Sequence, residues 1–99
     1  MFVRMSYWKC KKEFWTEDFK LFNNGAVPIM KNHNGFIKAM LLGGKDSSER
    51  IAFTQWDNEQ SYNSFSNHED LKKIIKMFDH MYEKNGSPKP FEYEVRAQS

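Results

Sequence analysis

Between Phe36 and Trp56 the chain lays down two short apolar runs, FIKAMLL and IAFTQW, on either side of the polar run Gly43-Gly44-Lys45-Asp46-Ser47-Ser48. Gly, Asp and Ser in that density form turns, so the segment reads as an antiparallel hairpin of two strands, Phe36 to Leu42 and Ile51 to Trp56. Side chains alternate between the two faces of a strand. In both runs apolar residues occupy both faces. A sheet built on this hairpin therefore has two faces to cover. Helices from the rest of the chain can cover one, and the other wants a second sheet.

The flanking sequence supplies the remaining elements. Phe2 to Lys9, FVRMSYWK, predicts a first strand. Its alternation puts Val3, Met5 and Tyr7 on one face and Phe2, Arg4, Ser6 and Trp8 on the other. Trp15, Phe19, Phe22, Ala26 and Met30 follow steps of three and four, the stripe of an amphipathic helix. Glu17 and Asp18 sit in its first turn, where the helix dipole favours acid. Gly25 and Pro28 predict a kink or break, and Asn34-Gly35 a stop. After Trp56, Asp57 is the expected cap of a short helix carrying Tyr62 and Phe65 on one face, with Gln60 completing the capping box. Ser66 and Glu69 read as a second capping box, opening a helix with Leu71, Ile74, Ile75, Phe78, Met81 and Tyr82 on its apolar side. Asn85-Gly86-Ser87-Pro88 ends it. Phe91, Tyr93 and Val95 alternate with charged residues in a last strand. The order is β-α-β-β-(α)α-β, a split β-α-β unit with an antiparallel sheet backed by helices.

Covering this sheet is demanding, because 99 residues include nine Phe, four Tyr, three Trp and six Met. A chain this short buries about two-thirds of the surface its unfolded form exposes. Part of the apolar load needs a partner, and a homodimer is the simplest one. Fifteen basic against thirteen acidic residues give a formal net charge of +2, a mixed surface with no nucleic-acid footprint. Lys9 to Lys12, interrupted by Cys10, and Lys72-Lys73 read as solvated edges. A single cysteine, Cys10, makes neither an internal disulfide nor a Cys-based zinc site. No apolar run approaches about 18 residues, so no membrane span is expected. Arg4 and Lys9 within the first apolar stretch argue against a signal peptide. The expectation is one cytoplasmic domain over residues 1–99. In the cytoplasm the sequon Asn85-Gly86-Ser87 would not be glycosylated.

Three segments, Ala26-Val27-Pro28-Ile29-Met30, Asn34-Gly35-Phe36-Ile37 and Ile51-Ala52-Phe53-Thr54-Gln55-Trp56-Asp57, resemble in order and spacing the antibiotic biosynthesis monooxygenase family of the dimeric α/β-barrel superfamily. The shared pattern is a first helix ending near a proline, a Gly-Phe opening to strand two, and a strand three closing on Trp before an acidic turn. The resemblance covers nearly the whole chain. It implies an α+β, ferredoxin-like β-α-β-β-α-β protomer whose antiparallel sheet pairs with a second protomer's sheet as a dimeric α/β barrel. Members of the family include cofactor-free oxygenases of aromatic polyketides, haem-degrading enzymes and many small proteins of unknown role. The haem-degrading members use an Asn on strand one, a Trp on the short helix and a His on the long helix. Here strand one has no Asn, the short-helix position is Phe65, and the long-helix position falls near Ile75. Haem degradation is therefore not expected.

The candidate chemistry is sparse. No Ser-His-Asp or Cys-His arrangement is visible, and Gly43-Gly44-Lys45 lacks the first Gly and the helix of a phosphate-binding loop. No side chain is assigned a catalytic role. Trp56 reads as a structural ring at a strand–helix corner. Phe19, Phe22, Tyr62 and Phe65 read first as core packing. Any pocket lies between the helices and the sheet, apolar with few polar groups. Tyr7, Trp8, Phe22, Phe65 and His68 are its candidate ligand-binding residues, with Ser6 a further polar group. His33 lies in a turn, and His68 and His80 stand about 18 Å apart along one helix, too far for one ion, so no metal site is expected. The function expected is oxygenation of a small aromatic or lipophilic molecule, with no cofactor, in a dry cavity where substrate carbanion and oxygen meet directly. The alternatives are a non-catalytic ligand binder, a structural dimer and, further off, an RNA-recognition module. For the last, the third strand keeps Arg50, Phe53 and Trp56 but lacks the Gly and the first ring.

Overall fold

The computed structural model describes residues 1–44, 46–84 and 90–98. In chain order the elements are β1 (Phe2–Lys9), a 3-10 turn (Lys12–Phe14), α1 (Glu17–Leu21), a π-helical turn (Phe22–Ala26), α2 (Val27–Lys31), β2 (Phe36–Gly43), β3 (Glu49–Trp56), α3 (Glu59–Ser66), α4 (Glu69–Phe78) and β4 (Phe91–Glu94). The strands form one antiparallel sheet in the order β2-β3-β1-β4. This is the α+β, ferredoxin-like architecture that the sequence order requires. Among the described residues no helix is long and apolar enough to cross a membrane. The sequon, the Gly86 and Pro88 helix stop, and Lys45 in the hairpin turn lie outside the described residues.

The register fixes which side chains share a face, because directly opposed residues on antiparallel strands point the same way. Phe2 opposes Trp56, Arg4 opposes Thr54 and Ser6 opposes Ala52. These residues face the helices. Val3, Met5 and Tyr7 oppose Gln55, Phe53 and Ile51 on the other face, continued by Met40 and Leu42 of β2 and by Phe91 and Tyr93 of β4. No element of the chain covers this second face among the described residues. Met40, Leu42, Phe91 and Tyr93 are between 38% and 50% exposed.

The first helical segment shows how sequence sets the core. Pro28 has no N–H, so it cannot continue the regular ladder. The chain answers with a wide turn, in which the Val27 N–H donates to the Phe22 carbonyl, five residues back. Steps of four residues overshoot each α-helical turn by about 40°. A π turn absorbs that drift. The buried stripe is therefore Asp18, Phe22, Ala26 and Met30, in uniform steps of four. Phe19, expected on the stripe, is 37% exposed instead and lies under the Arg50 guanidinium at 4.7 Å. Trp15 precedes the helix and donates its indole N–H to Cys10 O at 3.3 Å and Ser48 Oγ at 3.2 Å. At Gly25 an added Cβ would meet Met77 Cε at 2.6 Å, so a side chain there would push the end of Met77 aside.

Both expected caps move. Asn58, not Asp57, caps α3, accepting the Ser61 N–H at 2.9 Å. Asp57 instead accepts from the Ser61 hydroxyl. Ser66 closes α3, and the cap of α4 is His68, whose Nδ1 accepts the Asp70 N–H at 3.0 Å. The long helix ends at Phe78, earlier than its apolar period, and Tyr82 pairs with Cys10 in an isolated bridge. Trp56 is fully buried, stacked on Phe65 at 5.1 Å and met edge-on by Phe36 and Tyr62. It is the structural ring of the β3–α3 corner.

At the opposite end of the sheet the core contains a buried ion pair. Asp18 and Arg50 are 0% and 2% exposed. Arg50 Nε donates to Asp18 Oδ2 at 2.8 Å, and the Tyr82 hydroxyl donates to the same oxygen at 3.1 Å. The remaining guanidinium nitrogens donate to the carbonyls of Ser47, Glu49 and Trp15. The sequence suggested only a helix-dipole role for Asp18. Removing one partner of a buried pair strands the other charge. Asp18→Ala or Arg50→Ala is expected to lower the unfolding free energy in urea titrations by about 3–5 kcal/mol. The paired change Asp18→Leu with Arg50→Met should recover much of that loss. A single-variant loss below about 1 kcal/mol would show the pair to be solvated.

Candidate functional site

Small residues leave space where the sheet meets the helices. Ser6, Ala52 and Thr54 sit side by side on the helix-facing surface of β1 and β3, and Ala26 stands above them. Their short side chains cannot fill the gap between a sheet and helices that carry large rings. The result is a cavity of about 470 Å³. Its walls come from Phe22 and Met30 on the first helical segment, Tyr62 and Phe65 on α3, and Ile74, Ile75 and Phe78 on α4. Core packing, the first expectation for these rings, describes only part of their surface. They are buried against one another on one side and face the void on the other.

The cavity is mostly apolar, with polar groups supplied by β1 and β3 and by the chain just beyond α4. Arg4 Nε is buried and has no hydrogen-bond partner among the described residues. Glu92 Oε2 stands 3.7 Å away, inside ion-pair range but too far for a hydrogen bond. The Arg4 guanidinium also lies 5.1 Å from the centre of the Tyr62 ring. The Ser6 hydroxyl accepts the Trp8 indole N–H at 2.9 Å. Tyr82 closes the far end, stacked between Trp8 at 5.9 Å and Phe78 at 5.6 Å. Its hydroxyl is committed to Asp18. Burial, and then the Asp18 carboxylate, push the Tyr82 pKa far up, so it stays protonated. Burial raises the Tyr62 pKa too. Asp79, Glu83 and Lys84 also line the cavity.

The five sequence candidates divide. Trp8, Phe22 and Phe65 line the cavity. Tyr7 does not, because strand alternation sends it to the open face, where it meets the edge of Phe91 at 5.5 Å. His68 caps α4 and lines a second, polar cleft with Asn58 and Ser64. Arg4 was missed. The alternation groups it with Phe2, Ser6 and Trp8, and a cation among those neighbours on one strand face was the signal available. The small residues Ser6, Ala52 and Thr54 were a second signal, since a run of short side chains at the centre of a sheet marks a space that other groups must fill or leave empty.

The second cleft brings together residues that sequence spacing kept apart. His33 Nε2 lies 2.9 Å from Asp70 Oδ2, and His68 Nδ1 lies 3.5 Å from the same oxygen. The hydrogen bond from His33 holds the Asp70 carboxyl below the usual carboxylate range. The helical distance ruled out a shared ion for His68 and His80 only. His80 packs edge-on against Phe14, away from this cluster.

No protein-family model matches the chain, and no curated protein matches it. Solved structures do. A monooxygenase from Streptomyces coelicolor, in complex with nanaomycin D, superposes with a TM-score of 0.81 at 18% identity, over 99% of this chain and 89% of that one. SnoaB, a cofactor-independent oxygenase from Streptomyces nogalater, gives 0.76 at 10% identity, over 98% and 94%. A protein of Deinococcus radiodurans assigned to the antibiotic biosynthesis monooxygenases gives 0.77 at 13% identity, over 100% and 96%. The chain has the antibiotic biosynthesis monooxygenase fold. At these identities the likeness speaks for the fold, and the site must be argued from this chain's own residues.

The buried cluster around Asp18 carries a pH signature. Burial first, then Asp18, pushes the Cys10 thiol up to about 12, and Tyr82 moves the same way. In the unfolded chain these groups release their protons near about pH 8.5 and 10. Above those values the unfolded state binds fewer protons than the folded one, so stability falls as pH rises. The urea midpoint is expected to drop steadily between about pH 8 and pH 10.5. Cys10 should resist a thiol reagent near about pH 8 until the chain unfolds. A flat midpoint, or fast labelling of the folded protein, would refute this account.

Proposed function

We propose that this chain oxygenates a small aromatic or lipophilic molecule with dioxygen directly, without a cofactor, in the cavity above the sheet. The observation that carries the reading is the Arg4 guanidinium at the wall of a mostly apolar chamber, its buried Nε without a hydrogen-bond partner among the described residues and its counter-charge Glu92 no nearer than 3.7 Å. A cation in that position favours a bound phenolate or enolate over its neutral acid, and low polarity strengthens the attraction. An electron-rich anion of this kind carries a nucleophilic carbon that can react with oxygen. For an acidic methylene beside a phenolic ring the balance is CH2 plus O2 giving C=O plus water. The substrate supplies all four electrons. The protein holds the anion, excludes water and leaves the oxygen molecule room to approach. The chamber falls within the ordinary range of ligand pockets, about 300–1,000 Å³. The cofactor-independent oxygenase among the similar folds supports the same reading.

The same proposal includes a homodimer. The open sheet face carries Val3, Met5, Tyr7, Met40, Leu42, Ile51, Phe53, Phe91 and Tyr93, a surface of the kind that pairs with a second sheet. Aliphatic side chains interleave with its rings, which suits a second copy better than a stack of bases. The single free thiol suits a reducing compartment, and we place the protein in the cytoplasm.

A hydroxylated anthrone is the natural probe. Trp8 fluorescence is expected to be quenched on binding, with oxygen uptake and quinone formation following in equal amounts. Arg4→Gln should weaken binding of the anion by about 10- to 100-fold, the worth of a charge-assisted hydrogen bond, while a neutral aromatic is affected much less. Quenching without oxygen uptake would make the protein a binder, and no quenching by any ring compound would end the reading. Light scattering should give twice the chain mass, and Phe53→Glu should shift it to the monomer with the secondary structure kept. A wild-type monomer at micromolar concentration would remove the dimer from the proposal.

A further inference from the structure

We propose that His33, His68 and Asp70 form a binding site for a borderline divalent cation, zinc above all, facing the polar cleft. Two parts of the chain deliver the three ligands. His33 follows α2, His68 is the cap of α4, and Asp70 is in the first turn of α4. One ligand atom from each lies within 4.8 Å of the others. Zinc binds imidazole nitrogen and carboxylate oxygen at about 2.0–2.2 Å in tetrahedral array, which places neighbouring ligand atoms about 3.3–3.5 Å apart. Asp70 Oδ2 stands 2.9 Å from His33 Nε2 and 3.5 Å from His68 Nδ1. Seating an ion opens the first separation by a few tenths of an ångström, leaves the second nearly as it is, and requires the two imidazole nitrogens, within 4.8 Å of each other, to take a similar spacing.

The donor set selects the ion. Two imidazoles and one carboxylate suit zinc, cobalt or nickel, whereas calcium and magnesium require oxygen ligands. The fourth position would open on the cleft, a space of about 520 Å³ walled by Asn34, Asn58, Gln60 and Ser64. Two features moderate the affinity. His68 Nδ1 must give up the hydrogen bond it accepts from the Asp70 N–H. The N-terminal end of α4 also repels a cation, which the Asp70 and Glu69 carboxylates offset. The expected affinity is therefore micromolar rather than that of a closed structural site.

The site is separate from the aromatic cavity, so its test needs no activity. Chain stripped with chelator is titrated with zinc chloride by calorimetry and followed by native mass spectrometry. One zinc per chain is expected. Cobalt should give the intense visible absorption of a four-coordinate ion. His33→Gln and Asp70→Asn should each weaken zinc binding at least about tenfold, with His80→Gln unchanged. Since a variant could lose its fold, the wild-type chain is also followed by NMR. Zinc should shift the His33 and His68 ring signals together and leave those of His80 in place. Absence of saturable binding below millimolar zinc overturns the proposal. So does a shift confined to His80, or binding that survives both substitutions in folded protein.

Discussion

A cavity in a small domain has to be held open, and here the Asp18–Arg50 pair does this at one end of the sheet. One guanidinium reaches the first helical segment through Asp18, the loop ahead of it through Trp15 O, and the hairpin end through Ser47 O and Glu49 O. Tyr82 adds the chain beyond α4 by donating to the same carboxylate. Three stretches distant in sequence, around Asp18, Arg50 and Tyr82, are thereby tied at fixed separations by directional bonds rather than by packing. Apolar packing alone would tend to close the space above Ser6 and Ala52, since burial of apolar surface carries no directional preference. At the other end Trp56 acts by bulk, gripped by Phe36, Tyr62 and Phe65. The chamber lies between these two anchors.

The helix side of the sheet depends on one backbone irregularity. Without the wide turn at Phe22–Ala26, steps of four would carry Met30 well off the line that begins at Asp18. The ion pair and the core would then demand different rotations of the same helix. The π turn lets both be satisfied. Gly25 then lets Met77 of α4 pack against that turn. Proline, the extra residue of the turn and the glycine thus form one device, whose effect is to set a charged residue and three apolar ones on a single buried stripe.

Most of the architecture was legible because it rests on periodicity. The alternation of FVRMSYWK grouped Arg4, Ser6 and Trp8 on one face and that of FEYE grouped Phe91 with Tyr93, while which face meets the helices is set by the strand register. The caps were not legible to the residue. Asp57 and Asn58 are both competent caps, as are Ser66 and His68, and the choice depends on where the preceding strand or helix releases the chain. The buried Asp18 was invisible for a different reason. In sequence it is an ordinary first-turn acid, and only the arrival of Arg50 from 32 residues away converts it into a core residue. The His33–Asp70 contact is hidden in the same way, 37 residues apart. Spacing along one helix can exclude a pair such as His68 and His80, but it says nothing about a side chain delivered from another element. Tyr7 shows the limit of residue type as a guide, since strand parity outweighs its polar ring.

Phe65 links the two clefts. One part of its surface lines the aromatic cavity, Trp56 stacks on it, and His33 meets it edge-on at 4.9 Å. His33 in turn packs at right angles to His68. A movement of His33 toward an ion would therefore act on a ring that also shapes the apolar chamber. The contact is a close-packed aromatic one, and such contacts transmit displacement because interiors have little free volume to absorb it. The junction of α3 and α4 is short, with Ser66 ending one helix and Glu69 starting the next, so the two helices cannot reorient independently. The fold thus sets a polar cluster and an apolar chamber back to back across one ring, with the ring held by the same tryptophan that closes β3.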